Sequence, residues 1–163
     1  RGSRGTLTLS VNPFVPKPFT PFQWMPMASK KRLDAVMKTL TQALRRTKKI
    51  VVNFESPKEA LVQAILARGD RRLAEPLMRA AAGRGAKDLV PEMRDAGLSP
   101  DDYLTREWAE DEMLPWEHLD MGFTKRYLRQ EYERAEALKS TRGCFDGCTR
   151  CGVCKAKEER TNA

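Results

Sequence analysis

All four cysteines of the chain lie within eleven residues near its C-terminal end, spaced C-x3-C-x2-C-x2-C. They are Cys144, Cys148, Cys151 and Cys154. Four thiolates this close can converge on one metal centre, and the glycines between them permit the tight turns that this requires. A disulfide framework spreads its cysteines to connect distant loops, whereas this cluster has nothing distant to connect. The spacing therefore predicts a metal site.

Two kinds of metal centre fit this spacing. The compressed run from Cys148 to Cys154 is typical of ferredoxin-like iron–sulfur clusters, in which closely spaced cysteines hold one cubane. Structural zinc more often uses two C-x2-C pairs separated by about a dozen or more residues. We favour an iron–sulfur cluster, with zinc as the alternative and free or oxidised thiols as a third interpretation.

The composition is that of a globular protein, with 163 residues, 40% hydrophobic and 32% charged. This length suffices for one domain with a core, or one domain with appendages. No apolar run approaches the roughly 20 residues of a membrane span, and no signal peptide opens the chain. Clustered cysteines indicate a reducing compartment, so we expect a cytoplasmic protein with no membrane partner. The chain enters a strand-like run soon after Arg1, and we expect it to be a piece of a longer protein.

The net charge of +8 is unevenly distributed along the chain. Residues 1–55 carry 11 Lys and Arg against 2 Asp and Glu, or +9. Residues 56–120 carry 9 against 14, or −5, and residues 121–163 carry 10 against 6, or +4. The basic ends fit a phosphate partner, either nucleic acid or nucleotide. They equally fit solvated helix faces.

The N-terminal part begins with a strand and a stiff loop. Leu7, Leu9 and Val11 alternate with polar residues, which predicts a strand with one buried face. Four prolines between residues 12 and 24 exclude a helix there. The same loop carries four aromatic residues that either anchor it or frame a flat ligand. They are Phe14, Phe19, Phe22 and Trp24.

Helix signals dominate the rest of the chain, with a second strand at residues 50–54. Ser29 begins a helix that runs to about Thr47, with an apolar stripe of Leu33, Val36, Met37, Leu40 and Leu44. Ser56-Pro-Lys-Glu59 forms a capping box with proline at the first helical position, and the helix that it begins carries the apolar residues Ala60, Leu61, Ala64 and Ile65 and closes at Gly69. Helical hairpins follow from residue 70 to 112, with an apolar stripe of Leu73, Leu77 and Ala81 in the first of them and a solvated acidic surface near the end. A final helix capped by Thr124 carries the stripe Leu128, Tyr132, Ala135 and Leu138 and ends near Ser140.

His118 is the single histidine of the chain, flanked by Glu117 and Asp120. A histidine between carboxylates fits an acid–base group or a metal ligand. A lone histidine without a partner histidine is more often structural. His118 is therefore a weak candidate for a catalytic residue.

Several segments together resemble a known family. They are Val11-Asn-Pro-Phe-Val-Pro-Lys-Pro-Phe-Thr-Pro-Phe-Gln-Trp24, Glu55-Ser-Pro57, Ala67-Arg-Gly-Asp-Arg-Arg-Leu73, Leu114-Pro-Trp-Glu-His-Leu-Asp-Met-Gly122 and the cysteine tail. In this order they resemble the C-terminal portion of cobalamin-binding-type radical S-adenosylmethionine proteins, a largely uncharacterised family. The resemblance implies a substrate-converting enzyme that uses a [4Fe–4S] cluster and S-adenosylmethionine, with cobalamin as a further candidate cofactor.

The resemblance also implies an architecture, that of an α-rich α/β fragment. Residues 1–55 would form the end of a (β/α) barrel, including its last strand, residues 56–140 a helical extension, and residues 141–163 a four-cysteine metal-binding tail. Asn12, Pro13 and Phe14 would lie at the mouth of the barrel, where cofactor and substrate bind. The implied partner is the remainder of the barrel.

One departure from the family pattern changes the interpretation of the tail. Family members bind the catalytic cluster through a C-x3-C-x2-C motif early in the barrel. Cys144, Cys148 and Cys151 have that spacing near the end of the chain, and Arg150 occupies a position where an aromatic residue is usual. The tail is therefore predicted to be an auxiliary site, and the chain should be inactive alone. The alternative is a stand-alone four-cysteine module that binds RNA or a protein partner. The sequence does not identify the substrate.

Overall fold

The computed structural model describes residues 5–154. Residues 1–4 of the predicted barrel segment and residues 155–163 of the predicted cysteine tail lie outside the described residues. Its strands are β1 (Leu7–Val11) and β2 (Ile50–Phe54). Its helices are α1 (Lys30–Leu44), α2 (Pro57–Arg68), α3 (Ala74–Ala82), α4 (Leu89–Asp95), α5 (Pro100–Leu104) and α6 (Lys125–Glu136). The α-rich α/β class predicted from sequence is confirmed at this level. Among the described residues, none of the helices has the length and apolar character needed to cross a membrane.

The two strands pair in parallel, with Leu7 opposite Ile50 and Val11 opposite Phe54. Because α1 connects them, the segment is a β-α-β unit. The pairing extends past both strand ends, where Leu7 N–H donates to the Lys49 carbonyl at 2.8 Å and Glu55 N–H donates to the Val11 carbonyl at 3.2 Å. Leu7 and Val51 are 56% and 47% exposed.

Helix α1 begins where the sequence predicts. The Ser29 hydroxyl accepts a hydrogen bond from Arg32 N–H at 3.3 Å, which satisfies one of the unpaired donors of the first turn. None of the residues of α1 is buried, and Val36 from its apolar stripe is 41% exposed. The other stripe residues, Leu33, Met37, Leu40 and Leu44, are half-buried, so the apolar stripe is only partly covered in the described part of the chain.

Helix α2 lies at the centre of the buried core. Ala60, Ala64 and Ile65 have no exposed surface, and the small alanine side chains allow neighbouring segments to approach closely. Around them pack side chains from the loop before α1 and from the segments that follow α2. These are Met27, Leu73, Ala80, Leu89, Met93, Tyr103 and Leu104.

Two of the predicted helix faces are wrong in part. In α3 the buried residues are Pro76 and Ala80, preceded by buried Leu73, whereas Leu77 is 38% exposed. A 3₁₀ turn at Arg71–Leu73 precedes α3, and its three residues per turn shift the phase of the buried face. At the other end of the chain, α6 stops at Glu136, so Leu138 lies outside the helix with a φ of 54° and is 94% exposed.

The described chain divides into two compact units. One comprises the residues up to Pro16 together with Met25–Trp108 and contains both strands and helices α1 to α5. The other comprises Lys17–Trp24 together with the described residues from Ala109 onward, including α6. These units are defined by packing, and the functional boundaries at residues 55 and 140 stay a prediction.

Candidate functional site

The cysteine segment is attached to the start of α6. Thr124 N–H donates to the Cys151 carbonyl at 3.0 Å. Gly152 has a φ of 96°, and a Cβ at this position would lie 3.4 Å from the Gly122 carbonyl oxygen and from Thr124 Cγ2. A side chain at residue 152 would therefore meet both strain and close contact, so this turn requires glycine.

Arg150 organises the turn that carries Cys148. Its Nε donates to Cys148 Sγ at 3.2 Å, and its Nη2 donates to the carbonyls of Arg142 and Gly143 at 2.8 and 2.9 Å. The side-chain hydrogen bond from Arg150 lowers the pKa of the Cys148 thiol, which is itself only 5% exposed. The sequence identifies Arg150 only as a departure from a family pattern and does not predict its hydrogen bonds to Cys148 and to the two carbonyls.

The four cysteines are free thiols, but the structure does not gather them. Cys148 is buried and Cys151 half-buried, whereas Cys144 and Cys154 are exposed. Within residues 5–154, no group of three or more His, Cys, Asp and Glu side chains is arranged to hold a metal ion. The donor chemistry fits iron–sulfur or zinc, while the described conformation does not bring the sulfurs together. The metal site therefore stays a prediction.

Asn12, Pro13 and Phe14 directly follow the last residue of β1. Phe14 is 58% exposed, and Asn12 is exposed as well. Glu55 follows β2 and accepts a hydrogen bond from Gln63 Nε2 at 2.7 Å. Because adjacent parallel strands end at the same edge of a sheet, these residues share the carboxyl edge, where α/β proteins bind ligands.

Three of the four loop aromatics are anchors. Trp24 is 2% exposed, Phe19 packs edge-to-face on Phe123 at 6.2 Å between ring centroids, and Phe22 packs on Tyr132 at 5.8 Å. Nearby, the indole N–H of Trp116 donates to Gln23 Oε1 at 2.9 Å. The geometry favours anchoring for these three rings and leaves Phe14 as the exposed aromatic residue of the loop.

His118 does not lie between its neighbouring carboxylates. The ring is exposed, with Nδ1 3.0 Å from the Pro115 carbonyl oxygen. Glu117 forms an ion pair with Lys125, and Asp120 Oδ1 accepts a hydrogen bond from Gly122 N–H at 2.7 Å. These contacts favour a structural histidine, and a catalytic role for His118 stays a prediction. Of the four acidic residues predicted to form a solvated surface, Glu107, Glu110 and Asp111 are exposed, whereas Glu112 is half-buried.

Arg68, at the end of α2, is a buried cation that sequence reasoning missed. It is 1% exposed, and its guanidinium carbon lies 4.7 Å from the centroid of a Trp108 ring. Its Nη1 and Nη2 donate to the carbonyls of Met25 and Arg106. Arginine is mostly exposed in proteins, and the residues that bind this one are distant in sequence, so no local pattern predicts its burial.

No protein-family model, curated protein or solved structure matches this chain. The functional interpretation therefore depends on the sequence motifs and on the geometry of the strand edge and the cysteine segment.

Proposed function

We propose that this chain is the C-terminal part of a radical S-adenosylmethionine iron–sulfur enzyme with an auxiliary metal site at its tail. The observation that carries the proposal is the parallel β-α-β unit of β1, α1 and β2. Such units are the repeating element of (β/α) barrels. A cytoplasmic location is part of the proposal.

The exposed strand side chains support a larger sheet. Parallel sheets normally have both faces covered and contain several strands, because a two-stranded sheet is marginal in water. Here Leu7 and Val51 are about half exposed, and α1 buries no residue. Additional strands and helices from the rest of a barrel would cover this surface.

The carboxyl edge of the strands is the proposed cofactor-binding region. Asn12, Pro13 and Phe14 are the residues we assign to it, with S-adenosylmethionine as the ligand and cobalamin as a further candidate. The exposed ring of Phe14 offers a flat apolar surface at this edge. The catalytic cluster itself would be held by cysteines of the remaining barrel and would supply the electron for reductive cleavage of S-adenosylmethionine.

The tail is proposed to bind one auxiliary centre through Cys144, Cys148, Cys151 and Cys154. Arg150 keeps the Cys148 pKa low, which favours the thiolate form that metals bind. Gly147 and Gly152 have φ values of 76° and 96° and let the segment turn tightly on both sides of Arg150. Metal binding commonly orders such short cysteine segments, which makes convergence of the sulfurs a consequence of loading.

The test of the enzyme assignment is the coding sequence upstream of residue 1, followed by an assay of the longer protein. We expect a barrel with its own C-x3-C-x2-C motif. The longer protein should cleave S-adenosylmethionine under reducing conditions, and this chain alone should not. An upstream sequence without that motif, or the absence of one, overturns the assignment.

The tail is tested separately by anaerobic reconstitution, absorption spectroscopy and metal analysis. A brown chain with about four irons supports the cubane, and a colourless chain with one zinc supports a structural site. Cys148→Ser should abolish either centre, whereas Thr149→Ala, at an exposed neighbouring position, should retain it. A chain that binds neither metal contradicts the auxiliary site.

A further inference from the structure

A cleft of about 830 Å³ opens in the unit that contains α1 to α5. It lies between the first turns of α1 and α2 on one side and the segments of α4 and α5 on the other. Neither the strand edge nor the cysteine segment contributes to its lining. Its volume is within the range of about 300–1,000 Å³ that small-molecule sites occupy.

The floor of the cleft is aliphatic. Leu61, Val62 and Val90 are partly buried against the core, and Leu104 is buried. The lining contains no aromatic ring among the residues that the structure describes. This floor suits an alkyl or alicyclic body better than a flat base that needs a stacking partner.

The rim of the cleft is predominantly cationic. Five basic residues line it, Lys30, Lys58, Arg84, Lys87 and Arg94, against the two acidic residues Glu59 and Asp101, so the formal charge of the lining is 5 − 2 = +3.

Ion pairing divides these five cations into two groups. Lys30 pairs with Asp34 and Arg84 with Asp88, neither of which lines the cleft. Within residues 5–154, Lys58, Lys87 and Arg94 form no ion pair. The same holds for Glu59 and Asp101 among the described residues, so the lining side chains without ion pairs carry three positive and two negative charges and leave a surplus of one positive charge for an anionic ligand.

The N-terminus of α2 adds to the positive potential at the rim. Ser56 precedes this helix but makes no side-chain hydrogen bond to its first turn, although the sequence predicts a capping box there. The N–H groups of that turn and the helix dipole therefore favour an anion at the same side of the cleft.

We propose that this cleft binds a small phosphorylated molecule with an aliphatic body. Phosphate carries more than one negative charge at neutral pH and forms charge-assisted hydrogen bonds with lysine and arginine, which matches Lys58, Lys87 and Arg94. The aliphatic floor supplies apolar burial for the rest of the ligand. This site is independent of the proposed radical chemistry, since it shares no residue with the strand edge or the tail.

Hexyl phosphate is the probe. Inorganic phosphate and hexanol test its two parts separately, and hexanoate tests a more weakly charged anion with a similar alkyl chain. Titration of the full chain is followed by amide chemical shifts. We expect hexyl phosphate to bind at least about tenfold more tightly than any of the others, with shift changes near Val62, Val90 and Leu104. Affinity should fall with added salt, because the rim charges are exposed.

Charge-neutralising variants identify the cleft. Lys58→Gln, Lys87→Gln and Arg94→Gln should each weaken hexyl phosphate binding about fivefold. Lys38→Gln, an exposed lysine of α1 outside the cleft, is the matched control and should bind as the unmodified chain does. Equal losses in all four variants would show general attraction to a basic protein and overturn the proposal.

Two further outcomes overturn it. Hexanol binding as tightly as hexyl phosphate would mean that the cations do not contribute. Co-sedimentation with phosphatidic acid vesicles, without binding of soluble hexyl phosphate, would mean that the surface recognises a membrane instead of a small molecule. None of these binding measurements depends on iron. A negative result for the cleft therefore leaves the test of the metal site unaffected.

Discussion

Helices α1 and α2 follow one another in the chain and each begins after a serine, but they differ in what they bury. Helix α1 has 15 residues and none is buried. Helix α2 has 12 residues and buries Ala60, Ala64, Ile65 and Arg68. Both sequences are good helix formers, so helix formation alone does not explain the difference.

The comparison separates two sources of helix stability. Helix α2 is stabilised by packing in its own unit, which supplies most helical stability in folded proteins. Helix α1 depends on its capping serine, on its own backbone and on partial cover from the core through Leu33. An amphipathic helix whose apolar stripe is only partly covered by the described residues fits a segment that packs against additional structure, as the proposed barrel requires.

The largest contrast is expected for truncation of one apolar side chain in each helix. Ile65→Ala should reduce the free energy of unfolding by about 2–4 kcal/mol, because it removes buried methylene groups and leaves a cavity. Val36→Ala, at a 41% exposed position, should change it by less than about 0.5 kcal/mol. Urea unfolding of both variants measures the difference. Equal losses would mean that α1 is as tightly packed as α2.

Arg68 provides the next test, since it is the charged residue that α2 buries. Arg68→Met should cost about 2–3 kcal/mol, because the carbonyls of Met25 and Arg106 lose their donor. Arg68→Lys should recover only part of this, since an ammonium cannot span two carbonyls as the guanidinium fork does. Exposed Arg71→Met is the control. An unchanged free energy of unfolding for Arg68→Met would show that the two carbonyls find other donors.

Substitution of the serines before the two helices should destabilise α1 more than α2, the reverse of the order expected for truncation of their apolar side chains. Ser29→Ala removes an observed cap hydrogen bond and should cost about 0.5–1 kcal/mol. Ser56→Ala should be nearly neutral, because Ser56 makes no such bond. Thermal unfolding of the two variants is sufficient to rank them. A larger loss of stability for Ser56→Ala than for Ser29→Ala would indicate that Ser56 forms the capping box that the sequence predicts.

The smallest effect concerns the turn that follows α2. The side-chain hydrogen bond from Arg72 lowers the pKa of Asp70, whose Oδ1 also caps the 3₁₀ turn by accepting from Arg72 N–H at 2.9 Å. Asp70→Asn keeps a capping oxygen but loses the ion pair, worth about 0.5 kcal/mol at this partly exposed site.

The pH dependence of that loss follows from the lowered pKa. Asp70 stabilises the fold above its unfolded pKa of about 3.9, and the contribution disappears as pH falls through the lower folded value. Urea midpoints of the unmodified chain and Asp70→Asn should differ at pH 7 and coincide when the carboxyl is protonated. A difference that persists in strong acid would assign the effect to the cap.

The helix starts were predictable from sequence because their signals are local. Ser29, Asp70 and Thr124 accept hydrogen bonds from first-turn N–H groups, as their residue types predict. The α2 stripe was also predictable, since it is continuous and ends at Gly69.

Features that depend on how neighbouring segments fold were not predictable in the same way. The buried face of α3 depends on a preceding 3₁₀ turn, and Leu138 continues an apolar spacing after α6 has ended. The strand pairing was not specified by either strand alone. For the candidate site, the cysteines are evident from spacing, whereas the bonds of Arg150 to Cys148 and to two carbonyls need the folded turn.

The guanidinium of Arg68 also connects two segments that are distant in the chain through hydrogen bonds alone. It binds carbonyls at Met25 and Arg106, close to two of the three points where the chain passes between compact units. A disulfide at this place would restrict the unfolded chain, whereas this connection exists only after α2 has formed. Separating either segment breaks a bond of the same side chain, so residues near 25 and 106 should detach in one cooperative event. One arginine thus couples the two segments of this unit that adjoin residues 24 and 109.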